Sequence, residues 1–342
     1  MAPLVLLTGA TGLVGFRVLQ ELLKKSDFDV RIAVRSEEKA QTVFSNPVIQ
    51  KLQPTLGGRL TYKIVPDSVV PGAFDEVLQE VTYVIHAGSP VPVPGCNPLE
   101  QVWKPTVLAI ENLLASAAKV PTIKRVLVTS SIVANMAPMP DPTVTVTANS
   151  RFQLPGVPET FSNEFEAYIL GKITEINNID TFVKEKKPHF SVSVIVPGYI
   201  FGRDELVLDA KAAVEKRSSP GILLRSLTGV DSPAPIHGGY VHIDDLAEIY
   251  LRVLKLESST ESVSNFGACK LCNYDDSWAL VEKNFPKEIA DGVLTRAILP
   301  TLPISYDSSG TEKALEGFNF RSFEDGVKDV VQFYLDRLAE QN

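Results

Sequence analysis

Apolar and polar positions alternate in blocks through the first two hundred residues. Leu4-Val5-Leu6-Leu7 is a β-type apolar run that breaks into Thr8-Gly9-Ala10-Thr11-Gly12-Leu13-Val14-Gly15. The chain then takes up helical period in Phe16-Arg17-Val18-Leu19-Gln20-Glu21-Leu22-Leu23. Further strands are predicted at residues 29–34, 60–65, 82–86, 124–129 and 191–196. Between them fall a polar helix from about Ser36 and a helix over about 99–118, where Pro105 marks a kink or a later helix start. A long helix bearing Tyr168 and Lys172 precedes the sixth strand. Strand–helix alternation is the signature of βαβ units, and the handedness of their crossovers favours closure into an α/β, Rossmann-type doubly wound parallel sheet.

Two stretches interrupt the pattern. Residues 137–160 carry Pro138, Pro140, Pro142, Pro155 and Pro158 and read as a long loop. Residues 203–239 hold a charged helix-like run, then Arg217-Ser218-Ser219-Pro220-Gly221 and Asp231-Ser232-Pro233-Ala234-Pro235, which suggests a mobile lid. Beyond about residue 260 the signals are short and mixed, as in a smaller C-terminal substrate lobe. The expected division is 1–200 as mainly the Rossmann domain and 201–342 as mainly substrate lobe and lid, with a return to the core at about 239–255.

The chemistry lies at the breaks in the pattern. Strand, glycine turn and helix in succession form an anion-binding device. Small residues let the backbone approach a pyrophosphate, and the free N–H groups and dipole of the helix start stabilise its charge. Tyr168 and Lys172, four residues apart on a helix, share one face, so an ammonium sits near a phenol and favours its ionised form. Strand five ends in Thr129-Ser130-Ser131, where residues at the carboxyl ends of parallel strands line the ligand crevice. A serine there donates a hydrogen bond to a substrate oxygen. With a tyrosine as proton donor the set suits carbonyl reduction, hydride arriving at carbon as the oxygen is protonated.

Bulk properties narrow the class. The 342 residues can bury a sizeable core, and 44% hydrophobic with 22% charged residues is ordinary for a globular chain. No apolar run approaches the length of a membrane span, so no membrane partner is expected. The net charge of −8 makes nucleic acid a poor partner. The first strand starts near residue 3, which leaves no room for a secretory signal and points to the cytosol. Cys96, Cys269 and Cys272 with four histidines are too scattered for a metal centre or a disulfide framework, so no metal is expected.

The ordered motifs Thr8–Gly15, Thr129-Ser130-Ser131, Tyr168-Ile169-Leu170-Gly171-Lys172, Val196-Pro197-Gly198-Tyr199-Ile200-Phe201-Gly202 and Gly239-Tyr240-Val241-His242-Ile243-Asp244-Asp245-Leu246-Ala247 resemble those of the extended short-chain dehydrogenase/reductase family. Within it the chain is most similar to the dihydroflavonol-reductase and methylglyoxal/aldehyde-reductase-like branch. The resemblance implies a catalytic triad of Ser131, Tyr168 and Lys172, with Ser131 preferred over Ser130. It also implies cofactor contacts from Gly9, Thr11, Gly12, Leu13, Val14, Asp67 (to the adenine), Ala87, Ser89, Tyr168, Lys172, Pro197 and Tyr199. One position departs from the family. Many members carry an asparagine that supports the lysine through water, whereas Lys104-Pro105-Thr106-Val107-Leu108-Ala109 has none, leaving a backbone carbonyl or Thr106 to substitute.

Strand two ends without the acid that would bind a ribose 2′-hydroxyl. It is followed by Arg35, a clamp for a 2′-phosphate, with Lys39 as a second cation. The expectation is an NADP(H)-dependent reductase of a small carbonyl compound, monomeric or homodimeric. Val133, Met136, Met139, Leu223 and Leu224 are expected in its mostly apolar pocket with few charges besides Arg203 and Arg225, and Tyr199 and Tyr240 at its border or in the core. The alternatives are a nucleotide-sugar epimerase or dehydratase of the same superfamily and a non-catalytic dinucleotide-binding regulator. Arg35 and the absence of an acidic pair in Ile132-Val133-Ala134-Asn135 stand against the first, and retention of Tyr168 and Lys172 against the second.

Overall fold

The structure, a computed structural model, describes residues 2–154, 156, 160–257 and 259–341, so Pro155 and Pro158 of the proline-rich stretch lie outside the described residues. The chain forms two compact units. The first comprises Met1–Met139, Ala148–Val196 and Ala247–Phe266, the second Pro140–Thr147, Pro197–Leu246 and Gly267–Asn342. The returning segment begins later than the expected 239–255 because Gly239–His242 pairs with Tyr199–Phe201 and Lys270–Leu271 in a small sheet of the second unit.

The main sheet has seven strands, β1 (Leu4–Thr8), β2 (Asp29–Val34), β3 (Leu60–Ile64), β4 (Tyr83–His86), β5 (Arg125–Thr129), β6 (Ser191–Pro197) and β7 (Ser264–Ala268). Their order is β7-β6-β5-β4-β1-β2-β3. Pairing from β3 to β6 is parallel, with Thr8 opposite Ala33 on one side and His86 on the other. Val5, Leu6, Leu7, Val126, Leu127 and Val128 are fully buried, as strands covered on both faces require. The order reverses between β1 and β4, and that switch point opens a crevice at the strands' carboxyl ends. The sequence reading missed β7, whose Ser-Asn-Phe-Gly-Ala carries no alternating pattern.

Four helices matter for the site. α1 (Leu13–Lys25) buries Phe16, Leu19, Leu22 and Leu23. α2 (Lys104–Ala117) follows a π-helical turn, Pro98–Trp103, and holds Pro105 in its first turn. Pro105 therefore marks a helix start, where its missing N–H costs nothing. α3 (Glu164–Lys186) is capped by the Asn163 carboxamide oxygen, which accepts from the N–H groups of Phe165 and Glu166. α4 (Ile243–Lys255) belongs to the first unit from Ala247 onward.

In the second unit Phe201, Tyr240, Tyr274 and Phe323 pack ring against ring at 5.3–6.1 Å. Part of the stretch expected to be a mobile lid is built into this core, while residues 229–235 are a mostly exposed loop. The built-in part forms helices over Ala210–Glu215 and Ser219–Leu227, and Leu223, Leu224 and Leu227 join the buried cluster. Ser218, one of the residues that suggested a lid, caps the second helix, and Arg225, expected near the pocket, instead donates to the carbonyls of Val214 and Lys216.

Arg125, the first residue of β5, is buried. Its guanidinium donates to Ser191 Oγ at 2.9 Å and to the carbonyls of Val253 and Leu256 at the end of α4. Arg125→Leu strands those carbonyls, and urea unfolding is expected to lose about 2–3 kcal/mol. A loss below about 0.5 kcal/mol would show that water replaces the guanidinium.

Candidate active site

Backbone crowds backbone at the switch point. Gly9 has φ 77°, and a Cβ there would lie 2.5 Å from the Gly88 nitrogen and 2.6 Å from the Ala87 carbonyl carbon. A Cβ on Gly15 would lie 2.2 Å from the Gly9 oxygen. Only glycine permits either contact. Gly12 differs, because a Cβ there would meet only the Gly9 oxygen, at 3.4 Å. As N-cap of α1 it offers no capping side chain, and no acid occupies the first turn. Half-buried Leu13 and Val14 thus begin a helix whose leading N–H groups and positive dipole end await an anion, with Thr11 beside them.

The end of β4 is tied to β1. Thr8 Oγ1 lies 2.8 Å from His86 Nδ1 and accepts from the Gly88 N–H at 3.3 Å. His86 is buried, and burial, with the nearby Lys172 charge, pushes it down to about 3. Ala87 and Ser89 follow, half-buried, and the Ser89 hydroxyl is buried without a partner among the described residues. An orphaned donor beside a glycine cradle and an uncapped helix start fit a dinucleotide running along this edge. Arg35, directly after β2, is exposed and makes no hydrogen bond or ion pair among the described residues. Lys39 is exposed one turn into the next helix, whose start Ser36 caps. Asp67 is exposed after β3, one carboxylate oxygen accepting from the Val69 N–H at 3.0 Å.

The proton-transfer group hangs on α3. Tyr168 is half-buried, its ring stacked on Phe165 at 6.3 Å. One turn on, Lys172 is 1% exposed; its ammonium donates to the Thr129 carbonyl at 3.1 Å and to the Glu175 carboxylate at 3.0 and 2.9 Å. Ser131 opens the short turn Ile132–Ala134, which packs against α3. Ser130 is buried with its hydroxyl facing Glu175, whereas Ser131 is half-buried. Thr106 is not the lysine's support: its hydroxyl donates to the Val102 carbonyl at 2.8 Å. A backbone carbonyl, that of Thr129, holds Lys172 together with Glu175, which the sequence reading missed. The signal was available, since an acid three residues after a lysine shares its helical face.

The apolar wall expected around the substrate is only partly available. Val133 and Met136 are buried and Met139 is 85% exposed. Leu223, Leu224 and Tyr240 are core residues of the second unit, the Tyr240 hydroxyl donating to the Arg321 carbonyl. Arg203 pairs with Asp329 and Asp336. Pro197 is buried and Tyr199 half-buried against Tyr274 in that unit.

A glycine turn at a topological switch point, an open helix start beneath it and a buried lysine beside a strand end define a dinucleotide-binding α/β oxidoreductase. Residues 5–155 match the NAD dependent epimerase/dehydratase family. The chain is 30% identical over 344 residues to ketoreductase CTB6 of Cercospora nicotianae, covering 97% of this chain and 95% of the relative. It is 32% identical over 300 residues to NAD-dependent epimerase/dehydratase ALT6 of Alternaria alternata, covering 84% of each. Yeast methylglyoxal/isovaleraldehyde reductase Gre2, solved with NADPH, shares the fold at a TM-score of 0.81 and 22% identity over 98% of this chain and 99% of that one. The chain belongs to the NAD-dependent epimerase/dehydratase family, the extended short-chain dehydrogenase/reductases.

His86 gives the site an acid limit. Its folded value, about 3, lies below the 6.5 of a free imidazole, so between these pH values the unfolded chain binds the extra proton. The stability it contributes is present above about pH 6.5 and is lost as the pH falls toward 3. Urea unfolding at about pH 7 and about pH 4.5 is expected to show a smaller acid loss in His86→Asn than in the unmutated protein. Equal losses would place the acid sensitivity elsewhere.

Proposed function

We propose that this protein is an NADPH-dependent reductase that converts a ketone or aldehyde to an alcohol. The observation that carries the reading is Lys172, an ammonium buried at the end of β5 one helical turn after Tyr168, with Ser131 opening the neighbouring turn. The name of the ketoreductase relative supports the same reaction. The bound cofactor supplies the hydride. Gly9, Thr11, Gly12, Leu13 and Val14 hold its pyrophosphate on the start of α1, Arg35 and Lys39 its 2′-phosphate, and Asp67 its adenine. Ala87, Ser89, Tyr168 and Lys172 line its remaining length. Ser131 donates a hydrogen bond to the substrate oxygen, and Tyr168 gives that oxygen its proton, while Lys172 offsets the negative charge left on the phenol.

Among the described residues no helix is long and apolar enough to cross a membrane. The three cysteines are free thiols, which suits the reducing cytosol, and we take the protein to act there as a monomer or homodimer on a small carbonyl compound. Two measurements test the reading. NADPH is expected to bind at least about tenfold more tightly than NADH, and Arg35→Ala to erase most of that preference, because a charged clamp contributes on the order of 1.4 kcal/mol or more. Equal affinities in the unmutated protein would remove the 2′-phosphate assignment. Tyr168→Phe is expected to fold and bind NADPH yet lose at least about a hundredfold in kcat over a panel of ketones and aldehydes. Tight binding of UDP- or dTDP-sugars without reduction of any ketone would favour the epimerase or dehydratase reaction instead.

A further inference from the structure

We infer that Glu175 is the positioning residue for Lys172, its carboxylate holding the ammonium against the Thr129 carbonyl and neutralising its charge. An ammonium has three donors, and here they go to one backbone carbonyl and both oxygens of one carboxylate, at 3.1, 3.0 and 2.9 Å, with Lys172 and Glu175 each 1% exposed. No other carboxylate pairs with Lys172 among the described residues.

The groups facing the pair leave it as an isolated unit of charge. From β4 comes His86, which burial keeps neutral. Past the end of β5 stands the Ser130 hydroxyl. From α4 comes Tyr250, whose phenol burial keeps protonated and whose hydroxyl meets Thr129 Oγ1. On α2 the nearest polar candidate, Thr106, spends its hydroxyl on Val102 and turns its methyl group toward Gly171. Burial pushes Glu175 up while the Lys172 ammonium pulls it down, so the carboxylate depends on the lysine as much as the lysine on it.

Stability does not account for such a pair. A buried ion pair roughly breaks even against apolar side chains of similar volume, whereas removing one partner alone leaves an uncompensated charge. What the pair gives is a fixed location for one ammonium, one helical turn after Tyr168, with its charge balanced by Glu175. Reduction needs a donor that holds its proton, and in general an unopposed positive charge near a phenol favours the ionised form instead. Glu175 thereby biases the site toward reduction.

The inference rests on the reductase reading for its kinetic test and on a separate spectroscopic test that does not. Glu175→Gln keeps the volume and one acceptor but removes the charge. It is expected to lower kcat at least about tenfold with little change in ketone KM, and to move the alkaline limb of the kcat profile down by about one pH unit. Glu175→Asp, which keeps the charge, is expected to restore the limb. In 1H–15N spectra of the full chain, a slowly exchanging ammonium signal that is absent from Lys172→Met is expected in the unmutated protein and in Glu175→Asp. In Glu175→Gln it is expected to exchange at least about tenfold faster. A folded Glu175→Gln protein with an unchanged limb and unchanged ammonium exchange overturns the inference, as does the absence of that signal from the unmutated protein. If Glu175→Gln fails to fold, Glu175→Asp decides: loss of the ammonium signal there overturns the inference, and retention supports it. An unmutated protein that reduces no ketone, yet shows the ammonium behaviour described, defeats the reductase reading and leaves the pairing standing.

Discussion

The contact on which the site depends is the approach of Gly9 to the Ala87–Gly88 backbone. At 2.5–2.6 Å from where a Cβ would stand, the first turn and the end of β4 meet with no side chain between them. That closeness lets Thr8 bridge to His86 and Gly88, and it keeps the start of α1 open. Gly15 repeats the constraint between α1 and the turn itself. Together these contacts turn a parallel sheet with a reversal in strand order into a crevice with defined walls.

From that crevice a line of buried polar groups runs through the sheet. His86 at the end of β4 is neutral, and Lys172 reaches the end of β5 from α3 with Glu175 behind it. His86 is fixed by Thr8 on β1, and Lys172 by the Thr129 carbonyl on β5 and by Glu175 on its own helix, so the ammonium is held away from solvent. A lysine on an exposed helix face would carry the same charge without a fixed location, at a large entropic cost on ordering.

Much of this was legible in the sequence. Six of the seven main strands were legible, the central ones as the apolar runs that strands covered on both faces need, and the glycine spacing pointed to the turn because only glycine tolerates the crowding found there. Three things were hidden. β7 lacked a pattern since its residues are small and partly polar. The stretch over 203–239 looked like a lid because its prolines and serines are punctuation, yet Ser218, Ser219 and Pro220 punctuate a helix whose leucines fill the second unit's core. Glu175 escaped because the search was for an asparagine on α2, when the support came from the lysine's own helix. The assignment of Leu223 and Leu224 to a substrate wall failed for a related reason, since hydrophobicity alone does not separate a pocket from a core.

The proposed reaction moves a hydride to a carbonyl carbon and releases the alcohol. Its most direct test supplies NADPH deuterated at the transferable position together with an aryl or alkyl ketone, followed by mass spectrometry of the product. The account predicts one deuterium on the carbinol carbon of the released alcohol, with one NADPH consumed per alcohol formed. Alcohol without deuterium, or no alcohol from any ketone under conditions where NADPH binds, would contradict it.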